Sequence, residues 1–133
     1  MSVEIEIVLR LLLATALGAG IGYQRERSEK AAGLRTQSLI ALGAALFTVV
    51  SIFGFGHGVD ASRVAAGVVA GVGFIGAGVI FHAGSGNLLT GLTTAASIWV
   101  TAAIGMAAGA GMYLVSFVVA VISVLILAVP KVR

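Results

Sequence analysis

The chain has 133 residues, of which 59% are hydrophobic and only 10% charged, with no cysteine and a formal net charge of +3. A soluble domain carries about 25% charged residues, so this chain lacks the polar surface that a water-facing fold needs. The absent cysteines exclude disulfides, thiol catalysis and cysteine-based metal sites. What remains is an all-α, polytopic membrane helix bundle, with apolar runs of the ~20 residues that cross a bilayer.

Ile7 to Tyr23 is the first predicted span, polar only at Arg10 and Thr15, with Glu4 and Glu6 ahead of it. An acidic start and a long apolar run do not fit a cleaved signal peptide. Tyr23 to Gln37 then reads Y-Q-R-E-R-S-E-K-A-A-G-L-R-T-Q and gathers Arg25, Glu26, Arg27, Glu29, Lys30 and Arg35. In so apolar a chain this block is expected in water or against lipid headgroups, as the first loop. The cations are confined to this loop and the tail, which favours contact with anionic lipid and speaks against nucleic acid.

The second span is predicted from Leu34 or Thr36 to about Phe55. A polar link with His57, Asp60, Ser62 and Arg63 follows. Asp60 is placed to cap the third span, about Arg63 to Phe81, because its carboxylate can accept from free first-turn amides. His82 to Asn87 is the next break. Leu88 to Val129 carries no formal charge and is about two crossings long. Gly109 to Met112 divides it into a fourth span, about Leu88 to Ala108, and a fifth, about Tyr113 to Val129. Pro130, Lys131 and Arg133 close the chain.

Five transmembrane helices put Arg25, Arg27, Lys30, Arg35, Lys131 and Arg133 on one side, leaving Arg63 as the lone loop cation opposite. The positive-inside rule then predicts the N-terminus outside and the C-terminus cytoplasmic. An even number of spans would break that agreement.

Glycines recur at helix-packing spacing. Gly18 and Gly22 are four apart, as are Gly67 and Gly71, and Gly73, Gly76 and Gly78 continue the third span. Small residues at this spacing let helix backbones approach closely in lipid. The run from Gly71 to Gly78 resembles a phosphate-binding fingerprint only superficially, since neither a preceding strand nor a following acid accompanies it.

The fourth span carries Thr90, Thr94, Ser97, Thr101 and Gly105 on one helical face, with Thr93 close by and Trp99 off it. This stripe reads either as hydroxyls bonded to helix carbonyls or as a hydrated, ligand-lining face. Arg10 reads either as a functional intramembrane charge or as a structural partner of Glu6 one turn earlier. Glu26 is placed to pair with Arg35 where the second span begins. His57 and His82 fall on different sides and cannot share a metal. No carboxylate lies within a predicted span, and no nucleophile–base pair or ligand cluster is present. An enzyme, a cofactor and a metal site are therefore not expected.

Three stretches carry a family resemblance: Ile21 to Thr48, Asp60 to Ile80 and Gly91 to Gly111. In this order they closely resemble the membrane domain of the MgtC/SapB family of bacterial inner-membrane proteins. The matching motif residues are Gly22, Arg25, Glu26, Gly33, Leu34, Arg35 and Thr36, then Asp60, Arg63, Gly71, Gly73, Gly76 and Gly78, then Gly91, Thr93, Thr94, Ser97, Trp99 and Gly105. Gln24, Ala31 and Gly67 depart from the pattern, where an acid, a proline and a polar residue are common.

The resemblance implies a five-span protein of the bacterial cytoplasmic membrane, associated with magnesium limitation and, in pathogens, survival inside host cells. It also implies a regulator of other membrane machines, with ATP synthase a proposed target, rather than the magnesium transporter such proteins were once taken for. Many members carry a soluble domain after the fifth span. Residues 1–133 are expected to form the membrane domain alone.

Two functions compete. One is a helical regulator that binds a partner membrane protein, or a second copy of itself, through glycine-rich faces. The other is an oligomeric transporter or channel for magnesium or another small ion, with the hydroxyl stripe, Arg10 and Glu26 along its path. A homodimer or larger homo-oligomer is expected in either case.

Overall fold

The computed structural model describes residues 2–83 and 88–130, with backbone alone at 82–83 and 88–90. Five α-helices follow in order: α1 (Val3–Arg27), α2 (Leu34–Phe53), α3 (Ser62–Ala83), α4 (Leu88–Gly109) and α5 (Tyr113–Ala128). The first four are long and apolar enough to cross a membrane, whereas α5 has 16 residues and a length of about 24 Å. The basic tail at Lys131 and Arg133, and residues 84–87 of the expected break, lie outside the described residues.

α1 starts four residues earlier than predicted. Ser2 caps it, its hydroxyl accepting from the Ile5 N–H at 3.2 Å, and Glu4 and Glu6 occupy the first turn, where the helix dipole favours anions. The helix also runs on through the charged block to Arg27, so Arg25 and Glu26 are helical rather than loop residues. It ends in a Schellman turn: the Lys30 N–H donates to Arg25 O and the Glu29 N–H to Glu26 O, with Glu29 left-handed at φ 56°. α4 ends the same way. Met112 and Gly111 donate to Ala107 O and Ala108 O, with Gly111 at φ 86°, which places the α4–α5 turn where the sequence predicts it.

Asp60 acts one position outside the expected cap. α3 begins at Ser62, and Asp60 Oδ1 accepts from the Ser62 N–H at 3.0 Å and from its hydroxyl at 2.6 Å. These two bonds, the hydroxyl's first, hold the Asp60 carboxyl below the usual carboxylate range.

The core is the seam of α1, α2 and α4. It is built from small residues, with Ala14, Ala41, Ala45 and Ala108 all fully buried. A Cβ on Gly18 would lie 2.6 Å from Gln37 O, one on Gly22 2.6 Å from Gly33 O, and one on Gly109 2.7 Å from Ala45 O. A Cβ on Gly105 would run into the backbone of Ala41. Close backbone approach thus replaces the large apolar side chains of a soluble core. α3 packs on α4 and the edge of α2 through Val64, Val68 and Val72 against Ile40, Ala44 and Ala102. α5 lies along α1 and α4 through Ala120, Ile21 and Ile104.

Candidate functional site

Two buried arginines mark opposite ends of α1, and each draws a polar cluster around it. At the first end Arg10 is 9% exposed. Its Nη2 meets Glu6 Oε1 at 3.0 Å, its Nη1 donates to Gly109 O at 2.9 Å, and its Nε donates to the Tyr113 hydroxyl at 3.2 Å. Tyr113 in turn donates to Glu6 Oε1 at 3.1 Å, and the guanidinium carbon lies 5.2 Å from the centre of the Phe53 ring. Arg10 thereby satisfies a carbonyl that the end of α4 would leave orphaned and ties α1, α2, α4 and α5 together. The pairing with Glu6 is the one its spacing suggests. Tyr113 and Gly109, which complete the cluster, are about a hundred residues away in the chain, and no local spacing points to them.

At the other end Arg25 is only 3% exposed. This overturns its expected place in a solvated loop. It sits in the last turn of α1 and points inward, where Nε donates to Ala31 O at 3.0 Å and Nη2 donates to Thr94 Oγ1. Beside it Gln37, fully buried, donates from Nε2 to Ala32 O at 3.2 Å and to Ser97 Oγ at 2.9 Å. Ser97 Oγ directs its own proton to Thr94 O at 2.7 Å. Arg25 and Gln37 therefore fasten the α1–α2 turn and α4 to one another. Sequence reasoning missed Gln37; the signal that could have found it is a polar residue on the inward face of an apolar span.

Glu26 does not pair with Arg35. Its Oε1 accepts from the Leu34 N–H at 3.1 Å, capping α2 in place of the side chain that the N-cap residue Gly33 lacks. A Cβ on Gly33 would lie 2.7 Å from Glu26 Oε1, so glycine is what lets the carboxylate reach the amide. Arg35 and Arg63 are exposed, and neither forms an ion pair among the described residues.

The hydroxyl stripe of α4 faces protein. Thr94, Ser97 and Thr101 are at most 3% exposed, and Gly105, on the same face, touches Ala41. The side chain of Thr90 lies outside the described residues. Thr101 Oγ1 and Gln37 Oε1 are buried without a hydrogen-bond partner among the described residues. Trp99, off the stripe, is 60% exposed, as its register predicts.

The outward glycines differ from the inward ones. Gly67, Gly71, Gly73 and Gly78 would each accept a Cβ with nothing inside 4 Å, and Gly76 alone in this series meets a neighbour, Ala95, at 3.5 Å. Gly76 thus faces α4, whereas the other four close no helix contact among the described residues. Gly67 and Gly71 instead line, with Gly43 of α2, an apolar groove of about 720 Å³ whose lining also includes Leu39, Phe47, Val64 and Ile75.

Long apolar helices packed through glycine and alanine, with polar clusters confined to the bundle ends, define an integral membrane helix bundle. The chain belongs to the MgtC family, whose model matches residues 11–132. It is 49% identical over 131 residues to YhiD of Escherichia coli (strain K12), a protein provisionally named as a magnesium transporter, covering 93% of this chain and 60% of that one. It is 47% identical over 99 residues to MgtC of Brucella abortus (strain 2308), covering 74% and 40%. With SapB of Bacillus subtilis (strain 168) the identity is 41% over 122 residues, covering 86% and 52%. The chain thus spans about 40–60% of the length of these relatives. No solved structure matches it.

Proposed function

We propose that this chain regulates other membrane proteins of the bacterial inner membrane under magnesium limitation or related stress, and that it catalyses no reaction of its own. The magnesium connection rests on family membership and on the name that YhiD carries. The observation that carries the regulator reading is the closed seam between the two arginine clusters. Backbone meets backbone at Gly18, Gly105 and Gly109, and the hydroxyls of α4 are turned into that contact. An ion crossing a single bundle would have to part these helices. The groove between α2 and α3, by contrast, offers an apolar seat lined in part by Gly43, Gly67 and Gly71 for a transmembrane helix of the regulated protein.

In this reading α5 completes a fifth crossing. The end bearing Arg25, Arg27, Lys30 and Arg35 faces the cytoplasm, by the positive-inside rule.

The test is flux of magnesium, potassium and protons through purified protein in liposomes, with Arg10→Leu as control. No flux from folded protein is the expected result. Flux lost in Arg10→Leu would replace the regulator with a conduit formed between copies. Gly71→Leu, which adds bulk to the groove at a position where a Cβ meets no neighbour within 4 Å, is expected to abolish capture of a partner from native membranes while leaving the fold intact.

A further inference from the structure

The turn between α1 and α2 is held more firmly than a surface connection requires. Arg25 and Gln37 reach from the core to the carbonyls of Ala31 and Ala32, and Glu26 caps Leu34. Glu29 and Ala32 are held at φ 56° and 59°, a region costly for residues with a side chain and kept only where the surroundings over-determine the backbone.

This fixed turn presents Arg27, Lys30 and Arg35 outward, all exposed. Tyr23, 55% exposed, lies beneath Arg27, whose guanidinium carbon is 5.9 Å from the ring centre. None of the three cations forms an ion pair among the described residues. The chain has five acids in all: Glu4, Glu6 and Asp60 belong to the opposite end, Glu26 is occupied by Leu34, and Glu29 alone is left against three exposed cations and buried Arg25.

Depth selects the partner. α1 has 25 residues, about 37 Å at 1.5 Å each, against a hydrocarbon core of about 30 Å. With its apolar length in the bilayer, its last turn lies among the headgroups, where tyrosine is also favoured.

We infer that the α1–α2 turn is a docking site for the phosphate of an anionic phospholipid, with Arg27, Lys30 and Arg35 as its ligands and Tyr23 against the glycerol–acyl boundary. Free phosphate shares the charge chemistry but would use neither Tyr23 nor the depth. The inference is independent of the regulator reading, because it needs neither a partner protein nor the absence of flux.

The experiment is titration of the purified, delipidated 133-residue chain in neutral detergent with short-chain phosphatidylglycerol or phosphatidylcholine, read by native mass spectrometry. Phosphatidylglycerol is expected to bind more tightly, and more weakly as salt rises. The variant R27Q/K30Q/R35Q is expected to lose this affinity by about fivefold per charge, on the order of a hundredfold in total, while R27K/K30R/R35K keeps it. Should the triple variant misfold by circular dichroism, Arg35→Gln alone is expected to show the single step of about fivefold. Equal binding of the two lipids, or unchanged binding by the neutralised variant, would overturn the inference. Displacement of phosphatidylglycerol by equimolar inorganic phosphate would reassign the site to free phosphate.

Discussion

Gly105 and Gly71 lie on adjacent helices, and each is four residues from another glycine, Gly109 and Gly67. Gly105 and Gly109 are pressed against the backbone of α2, where even a methyl group has no room, whereas Gly67 and Gly71 border an open groove. The difference comes from what faces them. α2 turns the fully buried Ala41 and Ala45 toward α4, so those two helices close to backbone contact. Toward α3 it turns Ile40 and Ala44, which meet the valines Val64, Val68 and Val72, so the contact there is made by side chains rather than backbone. One spacing therefore seals the fold on one side of α2 and borders an open groove on the other.

The sharpest way to break this contrast is to add one methyl to each side. Gly105→Ala is expected to destabilise the bundle by about 1–3 kcal/mol through overpacking, whereas Gly71→Ala should stay within about 0.5 kcal/mol of the parent. Thermal unfolding in detergent measures both, and equal losses would end the distinction. Arg10→Leu removes the donor to Gly109 O and to Glu6, and is expected to cost about 1–3 kcal/mol in the same assay.

Glu26→Ala uncaps α2 and is expected to cost about 1 kcal/mol. Glu26→Gln, which keeps an accepting oxygen, should recover most of it, and a loss equal to that of alanine would argue for a charge interaction instead. The smallest effect belongs to Asp60. Its carboxyl titrates below the usual range in the folded chain because Ser62 donates to the ionised form. Its stabilising contribution is therefore complete above the ordinary carboxylate pKa and fades as pH falls through the depressed folded value. Asp60→Ala should flatten this part of the stability–pH profile, and an unchanged acid limb would show that the bonds to Ser62 contribute nothing.

Much of the architecture is legible in the sequence. Apolar run length locates the helices to within a few residues, and the glycine turn at Gly109 to Met112 separates α4 from α5 as expected. Helix spacing is also enough to pair Arg10 with Glu6, because both lie on one helix. The misplaced residues are those whose partners are remote in the chain. Arg25 reads as a solvated loop cation, but Thr94 and Ala31 draw it inward. Glu26 reads as a partner for Arg35, yet a free amide at the start of α2 holds it. Gly105 reads as part of a hydroxyl stripe, although its spacing to Gly109 already matches the packing pattern of the other glycine pairs.

The sequence by itself determined that the chain is an apolar helical bundle, where its helices run, and at which end its positive charge gathers. These follow from composition and from periodicities local to each segment. Only the tertiary structure decided which glycines close on a neighbour and which stay open, and which arginine contacts are made across helices. Those outcomes depend on the side chains that another helix, tens of residues away, brings to the same place.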